Sequence, residues 1–592
     1  ALSGLAGDLI FDRASMQVRG ASGGFAGSKG LRLSKVDAKI PDLLHSGLEV
    51  TVAADARGPL PELLTLLSTS PLGGLTGNAL DRATGTGNAD LQLRLRLPID
   101  ALQNSKVQGS LSLAGNELRI APDIPVLSRV RGAVQFSETG FMVANVQAQA
   151  LGGAVKIDGG MRALAPNAPA TESAIQLRAQ GTATAQGLQQ TVQWGAVSQL
   201  ANKATGSTSY TMNLAFRRGV PEIKVVTNLQ GLALALPLPL GKSADTALPV
   251  RFESQVLRES LTGLANVAGN GPMPPALRDQ ITLDLGELGS ANYVRALDGP
   301  VPRVLRGSIG IGLRRGESAP EPIQGVAANI RQDTLDIDAW ETALAQAAGL
   351  PPTATNKQPL SAPPAQASAS GDALAQDYLP TTLALRTREL TVQGRTLHNV
   401  VAGVVREGTT WRANLDATEL NGYLEYRQPA GTDHAQGRIY ARLARFSMPQ
   451  SDVTQVEALL NEQPGALPAL DIEVDDFELR GKRLGRLDVI AQNRGGEGVP
   501  REWRLSKLNL TMPEARFAAT GNWALLRATG DAAAAAVAPT AASPSAAGAS
   551  KAFTLVRRTL LNFTLAIEGS GELLARRGMA NVIRRGKGRL EG

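Results

Sequence analysis

The side chains that most often do chemistry are few and scattered in this 592-residue chain. Its three histidines, His45, His398 and His434, do not stand in an HExxH or related pattern, so surface or structural roles are the better interpretation. Asp471 and Glu473 would share one face of a strand, because alternate strand residues point the same way. A solvated face explains this pair better than a glycosidase pair of carboxylates.

Several other kinds of site are excluded by composition or by missing motifs. The chain contains no cysteine, which excludes disulfides, thiolate metal sites and cysteine nucleophiles. It contains no GxGxxG or GxxxxGK[ST] phosphate loop. We therefore expect a protein that is not an enzyme and that holds no metal and no cofactor.

The charge balance indicates a solvated mixed-charge surface rather than a nucleic-acid interface. There are 60 basic and 53 acidic residues, for a net charge of +7. Basic residues concentrate only near the end, from Arg557 to Arg589, and no ladder of aromatic residues accompanies them. A mild attraction to anionic lipid headgroups stays open. No apolar run approaches the roughly 18 to 20 residues of a membrane-spanning helix.

One segment of the chain repeats without a gap, 87 residues further on. The text LALRTRELTVQGRTL from Leu383 to Leu397 returns as LDIEVDDFELRGKRL from Leu470 to Leu484. An apolar pattern, a glycine, a basic residue and a final leucine recur, whereas no histidine and no serine does. Repetition of this kind is typical of an architectural unit and favours a long surface over a catalytic point.

The pattern inside the repeat predicts β-strands with one apolar face. Apolar residues alternate with polar ones, and the parity then flips in both copies, between Leu385 and Leu390 and between Val474 and Phe477. A shared one-residue slip predicts a β-bulge or a bend. Turns are expected at Gly394-Arg395 and at Gly481-Lys482, and each unit continues into a further strand and then a strand opened by tryptophan, Trp411 or Trp503.

Outside the repeats the chain also alternates as strands do. Leu91, Leu93, Leu95 and Leu97 alternate with Gln92, Arg94 and Arg96, so one face is apolar and the other polar. A brief helix is expected over 60–67. Another is expected to begin at Asp338, which can cap it, with Glu341 at the capping-box position. The predicted division is 1–350 as a β-rich region with short helices, 351–376 as a Pro/Ala/Ser-rich linker, 377–530 as two repeated units (377–450 and 465–530), 531–552 as a low-complexity insertion and 553–592 as further strands.

These features resemble the AsmA-like envelope proteins, and within them the YhdP branch. The resemblance rests on the repeated unit and on the order of four motifs along residues 1–530. The motifs are SPLGGL (Ser70 to Leu75) before the LQLRLRLP strand, LGGAVKIDG (Leu151 to Gly159), NLQGLALALPLPLGK (Asn228 to Lys242) and LDIDAW (Leu335 to Trp340). The N-terminal membrane anchor of the family is absent from the text, and Ala1 and Gly592 stand in strand-like text. We therefore expect an internal fragment of a longer protein.

The resemblance implies a bridge-like lipid-transfer protein of the Gram-negative periplasm, anchored to the inner membrane in its full-length form. The implied fold is mainly β, a long twisted antiparallel sheet curled into an open groove, the repeating β-groove, with a few short helices. The implied function is transport of phospholipid between the inner and outer membranes along that groove. The implied partners are therefore phospholipid acyl chains and the two membranes, without nucleic acid. A long sheet with one apolar face must cover that face, and acyl chains can do so.

Three alternatives stay open from the sequence. The related TamB branch favours a periplasmic scaffold that assists outer-membrane protein assembly or secretion. An outer-membrane β-barrel would need aromatic girdles, which 4% aromatic residues do not favour. A carbohydrate hydrolase is least favoured. The residues predicted to line the groove are Leu91, Leu93, Leu95, Leu97, Leu383, Leu385, Leu390, Val392, Leu470, Ile472, Val474, Phe477 and Leu479.

Overall fold

A computed structural model gives the conformation of most of the chain. The described residues are 2–25, 28, 30–44, 47–68, 83–121, 124–161, 175–191, 194, 196–217, 220–260, 277–299, 301–314, 317–347, 377–428, 437–448, 467–496, 499–527, 555–576, 579 and 581–592. The chain is mainly β, and the 30 strands of its described part belong to one sheet that is not closed. With a few short helices beside that sheet, the predicted fold class is confirmed. The predicted linker 351–376 and insertion 531–552 lie outside the described residues.

The chain divides into two compact units. Unit 1 consists of Ala1–Ser308 and Ala339–Pro352, and unit 2 consists of Ile309–Asp338 and Thr353–Gly592. The strands of unit 1 are β1 (Leu2–Asp12), β2 (Ser15–Phe25), β3 (Arg32–Ile40), β4 (Glu49–Pro59), β5 (Thr84–Thr86), β6 (Asn88–Pro98), β7 (Lys106–Arg119), β8 (Leu127–Ser137), β9 (Gly140–Ala150), β10 (Gly153–Met161), β11 (Ile175–Thr184), β12 (Ala204–Arg217), β13 (Val220–Thr227), β14 (Leu232–Leu234), β15 (Val250–Val256), β16 (Arg278–Asp284) and β17 (Gly289–Ala296). β18 (Arg303–Ile311) crosses the boundary between the units.

Unit 1 is an antiparallel meander. β1 to β4 pair in order, β4 pairs with β6, and β6 to β13 then pair in order. β15, β16 and β17 extend the meander from β13. The two shortest strands are additions to it: β5 pairs with the end of β7, and β14 pairs with the start of β12. Because each strand pairs with a near neighbour in sequence, most of these contacts follow directly from hairpin turns.

Short helices accompany the strands. They are α1 (Leu60–Ser68), α2 (Ala185–Gln189), α3 (Ala196–Leu200), α4 (Ile337–Ala347) and α5 (Ser570–Arg576), with 3₁₀ turns at Ile99–Asn104 and Ala201–Lys203. α1 matches the helix expected over 60–67. Its Leu60, Leu63 and Leu64 are buried at the i, i+3, i+4 spacing that places side chains on one helical face. They pack in one cluster with Leu91 and Leu111 of the sheet.

Unit 2 contains both copies of the repeat. Its strands are β19 (Gly325–Asp336), β20 (Thr382–Val392), β21 (Arg395–Glu407), β22 (Thr410–Asp416), β23 (Leu420–Arg427), β24 (Arg438–Met448), β25 (Ala469–Leu479), β26 (Lys482–Gly496), β27 (Val499–Thr511), β28 (Ala515–Arg527), β29 (Leu555–Ile567) and β30 (Gly588–Glu591). They pair in sequence order from β19 to β30. The two copies, β20 to β24 and β25 onward, therefore lie side by side in the same sheet.

Two strand pairs differ from the expected antiparallel arrangement. β19 pairs with β20 in parallel, and β24 pairs with β25 in parallel. A parallel pair needs a crossover of a dozen or more residues, which a hairpin turn cannot supply. Each copy of the repeat therefore begins with a strand that arrives after a crossover, and it continues as an antiparallel meander.

The parity flip predicted inside the repeat is present in both copies. Leu385 and Leu390 are both 8% exposed, and they pack in one cluster although they are five residues apart. Val474 and Phe477 are both buried in a second cluster, and the register of β25 against β26 shifts between them. In the first copy Asn399, which faces the flip from β21, takes a left-handed φ of 54°. The slip thus keeps both halves of each strand on one apolar side.

The turn between β20 and β21 corrects two predictions made from the sequence. Gln393 and Gly394 have φ of 52° and 70°, so the turn lies one residue before the predicted Gly394-Arg395. Asp338 does not cap a helix, because α4 begins at Ile337. The Asp338 carboxylate instead accepts hydrogen bonds from the backbone N–H groups of Gln393 and Gly394, both at 2.6 Å. It stabilises the turn.

Replacing Asp338 should therefore weaken unit 2 locally. Asp338→Ala removes two charge-assisted hydrogen bonds and should lower the free energy of unfolding by about 2 kcal/mol, and Asp338→Asn, which keeps one carbonyl oxygen, by about half as much. Urea unfolding of the purified variants measures both losses. Asp333→Ala is the matched control, because the ion pair of Asp333 with Arg388 is exposed at 77% and 73% and should contribute less than about 1 kcal/mol. Equal losses for Asp338→Ala and Asp333→Ala would contradict the role of the Asp338 carboxylate in stabilising the turn.

Candidate functional site

Two rows of apolar residues run across unit 2, perpendicular to its strands. Within each row, every residue is the direct cross-strand partner of the next. Row 1 crosses β19 to β29 and consists of Ala328, Leu383, Val404, Ala413, Leu424, Ala441, Ile472, Val489, Leu508, Ala519 and Phe563. Row 2 crosses β19 to β30 and consists of Ile330, Leu385, Ala402, Leu415, Gly422, Leu443, Val474, Leu487, Leu510, Phe517, Leu565 and Leu590. The rows lie two residues apart on each strand, so they share one face.

Many of the larger side chains in these rows are only partly buried. Ile472, Val489 and Leu508 of row 1 lie next to one another on β25, β26 and β27, and each keeps part of its surface exposed. The small residues between them, such as Ala441 and Ala519, are buried. A fully packed core would bury the large members as well. Row 1 therefore presents a continuous apolar strip that can take a further apolar partner.

The opposite face of the same strands carries charges. Arg442 lies 2.8 Å from Asp471 and 3.6 Å from Glu473, and Arg486 continues the network at 3.3 Å from Glu473. Asp488, two residues along β26 from Arg486, pairs with Arg486 at 3.4 Å. Such partly exposed ion pairs contribute little to stability, but they show which face of the sheet meets water. The Asp471 and Glu473 pair noted in the sequence belongs to this solvated network, as expected.

Unit 1 has a corresponding row. It crosses β3, β4, β6 to β13 and β15 to β17 and consists of Leu33, Ala56, Leu91, Leu111, Val134, Val143, Gly159, Leu177, Leu214, Ile223, Ser254, Ile281 and Tyr293. These residues form row 3. It is apolar at most positions, and Ser254 is its one hydroxyl other than that of Tyr293. Each unit thus carries an apolar row that follows the pairing of its strands.

The predicted groove residues of β6 fall in two environments. Leu91 is a member of row 3 but only 4% exposed, because the helix α1 covers it. Leu93 pairs with Gly109, whose missing side chain leaves room for the ring of Phe136: a Cβ on Gly109 would lie 2.2 Å from that ring. Leu95 and Leu97 are partly exposed on the same face.

The predicted residues of the two repeats are brought together by the sheet. Leu383 and Ile472 belong to row 1, and Leu385 and Val474 belong to row 2. Val474 is fully buried. A set beyond these rows lines the same side: Leu390, Val392, Phe477 and Leu479 lie toward the hairpin turns, and Leu470 packs near Trp503. Their assignment to a lipid path stays a prediction.

Reasoning from the sequence missed row members on strands outside the two aligned segments. Val489, Leu508 and Phe563 are examples, and the alternation of apolar and polar residues along β26, β27 and β29 is the signal that could have found them. It also missed the buried ion pair of Asp279 and Arg295. That pair lies on the same face as Ile281, two residues along β16 from Asp279.

Metal-ligating side chains do not cluster in the described part of the chain. No group of three or more histidine, aspartate or glutamate side chains there could hold a metal ion. His398 Nδ1 lies 2.6 Å from Glu419 Oε1, which accounts for this histidine as a surface pair; His45 and His434 fall outside the described ranges. The helices of that same part are all too short or too polar to cross a bilayer.

The geometry defines a class: a repetitive, open β-sheet protein whose strands place apolar rows on one face and charges on the other. The chain belongs to the YhdP protein family, whose family model matches residues 1–592. The resemblance to the YhdP branch of the AsmA-like proteins is thereby confirmed. No curated protein matches the chain.

Proposed function

We propose that this chain conducts phospholipid between the inner and outer membranes of a Gram-negative envelope, with the acyl chains lying on the apolar rows. The observation that carries the proposal is the continuity of row 1, in which eleven directly paired residues follow one another from β19 to β29. Membership in the YhdP family supports it. The full-length protein would lie in the periplasm, anchored to the inner membrane.

The physical reason is the cost of moving an acyl chain through water. Each CH₂ group removed from water gains roughly 0.8 kcal/mol, so a chain of ~16 carbons gains on the order of 12 kcal/mol. An aqueous gap is therefore a large barrier to a free lipid. A row of apolar side chains that stays continuous from strand to strand lowers this barrier without a catalytic residue. The chain would accordingly carry out no reaction, and its charged face would remain in water.

Mass spectrometry of the purified protein tests the proposal. Protein isolated under mild conditions should carry phospholipid, and extraction with organic solvent should release it. A photoreactive phenylalanine analogue at Leu508, on row 1, should crosslink to acyl chains, whereas the same analogue at Asn509, one residue on and on the charged face, should not. Lipid-free protein would contradict the proposal. Crosslinks from Leu508 to polypeptide strands would favour a scaffold for outer-membrane proteins instead.

A further inference from the structure

At one end of the first repeat, the apolar face of unit 2 ends in amphipathic side chains. Arg406, Trp411 and Tyr426 are direct cross-strand partners on β21, β22 and β23. Each stands two residues along its strand from a member of row 1, so the three lie on the same face as the rows. These three residues form the rim. At roughly 3.3 Å per residue, row 1 lies about 7 Å from the rim and row 2 about 13 Å from it.

The contacts of the rim hold its side chains in place. The guanidinium carbon of Arg406 lies 5.7 Å from the centroid of the Trp411 ring, a cation–π arrangement. Tyr426 packs over Gly437, where a Cβ would lie 3.0 Å from the tyrosine Cε2 atom, and burial raises the pKa of Tyr426. All three side chains are half-buried. Each joins an apolar body to a polar end, which is the composition of a boundary between hydrocarbon and water.

In the second copy of the repeat, the tryptophan at the same position is buried. Trp503, the counterpart of Trp411, is only 7% exposed, and its Nε1 donates a 2.9 Å hydrogen bond to the carbonyl oxygen of Pro468. It forms an edge-to-face pair with Trp523. Asn493 takes the place of Arg406 opposite the tryptophan, and its side chain donates to the carbonyl oxygen of Leu467. The amide thus binds the chain that precedes β25.

The first copy differs in the residue types that produce this closure. Arg406 replaces the amide. Leu379, the leucine of the Leu-Pro pair ahead of β20, is 49% exposed, whereas Leu467, the leucine of the Leu-Pro pair ahead of β25, packs in the cluster of Trp503. The same repeat position is therefore sealed in one copy and open in the other. Because both copies share the fold, the difference points to a ligand at the open rim rather than to a need of the sheet.

Further arginines make this end of the strands basic. Arg427 and Arg438 are direct partners at the last register position of β23 and β24, on the face opposite the rim. With Glu425 and Tyr440 they line an open cleft of about 230 Å³. Arg427 pairs with Glu425 at 3.3 Å, and Arg438 pairs with Asp471 at 3.2 Å. Both arginines therefore already have a carboxylate partner, and they add to the basic character of this edge without facing the rim.

We infer that the rim positions the phosphate-bearing end of a glycerolipid whose acyl chains lie across rows 1 and 2. The inference rests on the proposed function and adds an orientation to it. Arg406 would bind the phosphate, because a guanidinium donates paired hydrogen bonds to phosphate oxygens. Trp411 and Tyr426 would lie at the level of the glycerol, where such rings are favoured. The acyl chains would then run along the strands, past row 1 and row 2, toward the hairpin turns.

Quenching of tryptophan fluorescence tests the orientation. The full chain is loaded from phosphatidylcholine vesicles that carry a nitroxide on the headgroup, at acyl carbon 5 or at acyl carbon 16. The difference between wild type and Trp411→Phe isolates the emission of Trp411. It should be quenched at least about twofold more by the headgroup nitroxide than by the carbon-16 nitroxide. Bound lipid with the reverse order, or with equal quenching, would overturn the orientation while leaving lipid binding intact; a chain that binds none of the three lipids would overturn both.

The charge of Arg406 is tested by making the first copy resemble the second. Arg406→Asn should weaken binding of phosphatidic acid by about tenfold and leave binding of the matching diacylglycerol unchanged, because only the former offers a phosphate. Arg386→Asn, on the charged face of β20, is the matched control and should change neither. Equal weakening for both lipids would show that Arg406 acts through packing alone and would overturn its role. Far-ultraviolet circular dichroism and thermal unfolding establish that the variants keep their fold.

Discussion

Val489→Glu should remove most of the phospholipid bound by this chain, about thirtyfold in affinity, whereas Ile490→Glu should leave binding unchanged. The two residues are neighbours on β26 but point to opposite faces. Val489 belongs to row 1 between Ile472 and Leu508, while Ile490 pairs with Asp471 on one side and with Lys507 on the other. One substitution therefore places a carboxylate in the apolar strip, and the other places it in the charged network.

The magnitude follows from the cost of covering a charge. A carboxylate on row 1 must either lose its water when an acyl chain lies over it or displace the chain at that point. A penalty of about 2 kcal/mol, modest for a buried charge, corresponds to about thirtyfold in affinity. At Ile490 the new carboxylate would lie between Asp471 and Lys507, so repulsion from the one and attraction to the other would largely offset each other. Titration with a fluorescent phosphatidylcholine measures both affinities.

A second pair of variants guards against an effect confined to one strand. Leu508→Glu on row 1 should act as Val489→Glu does, and Asn509→Glu on the opposite face should act as Ile490→Glu does. Thermal unfolding of all four variants shows whether each keeps its fold. If the variants on row 1 fold and bind as tightly as their partners, the rows are not the surface that holds lipid.

The choice of these positions shows what the sequence could and could not specify. The repeat and its parity flip were readable, because a period of two and a shared slip are local properties of the text. Leu385 is among the residues that the sequence predicts to line the groove, yet it is 8% exposed in a cluster with Val400. A charge there would disrupt packing before it met a ligand. Ile472, equally apolar in the text, remains partly exposed.

What the sequence could not specify depends on pairing between distant strands. The parallel pairs β19 with β20 and β24 with β25 follow from crossovers, and no hairpin signal encodes them. Rows 1 and 2 form only when the register of every strand pair is set. A slip of one residue would move every side chain of a strand to the opposite face of the sheet. For the same reason, the sequence does not predict that Trp503 is buried and Trp411 only half-buried, because each tryptophan stands at the start of a strand.

Asp279→Ala should destabilise unit 1 more than any single replacement of a surface charge, by about 3–5 kcal/mol. The Asp279 carboxylate accepts from Arg295 Nε at 3.0 Å and from Nη2 at 2.5 Å, and the two side chains are 5% and 17% exposed. Removing the aspartate leaves a guanidinium with little access to water. The matched control is Asp90→Ala, because the pair of Asp90 with Arg57 is exposed at 53% and 73%, and it should lose less than about 1 kcal/mol.

A double replacement separates the value of the pair from the cost of breaking it. Asp279→Leu together with Arg295→Leu should be near neutral, because well-packed apolar residues often replace a buried ion pair without loss. Hydrogen exchange of the amides of β16 and β17 measures local opening, which is preferable to a single unfolding midpoint in a chain of two units. The double variant would also lengthen the apolar face beside Ile281 and should bind phospholipid at least as well as wild type. A double variant as unstable as Asp279→Ala would show that the pair itself, through its geometry, stabilises these strands.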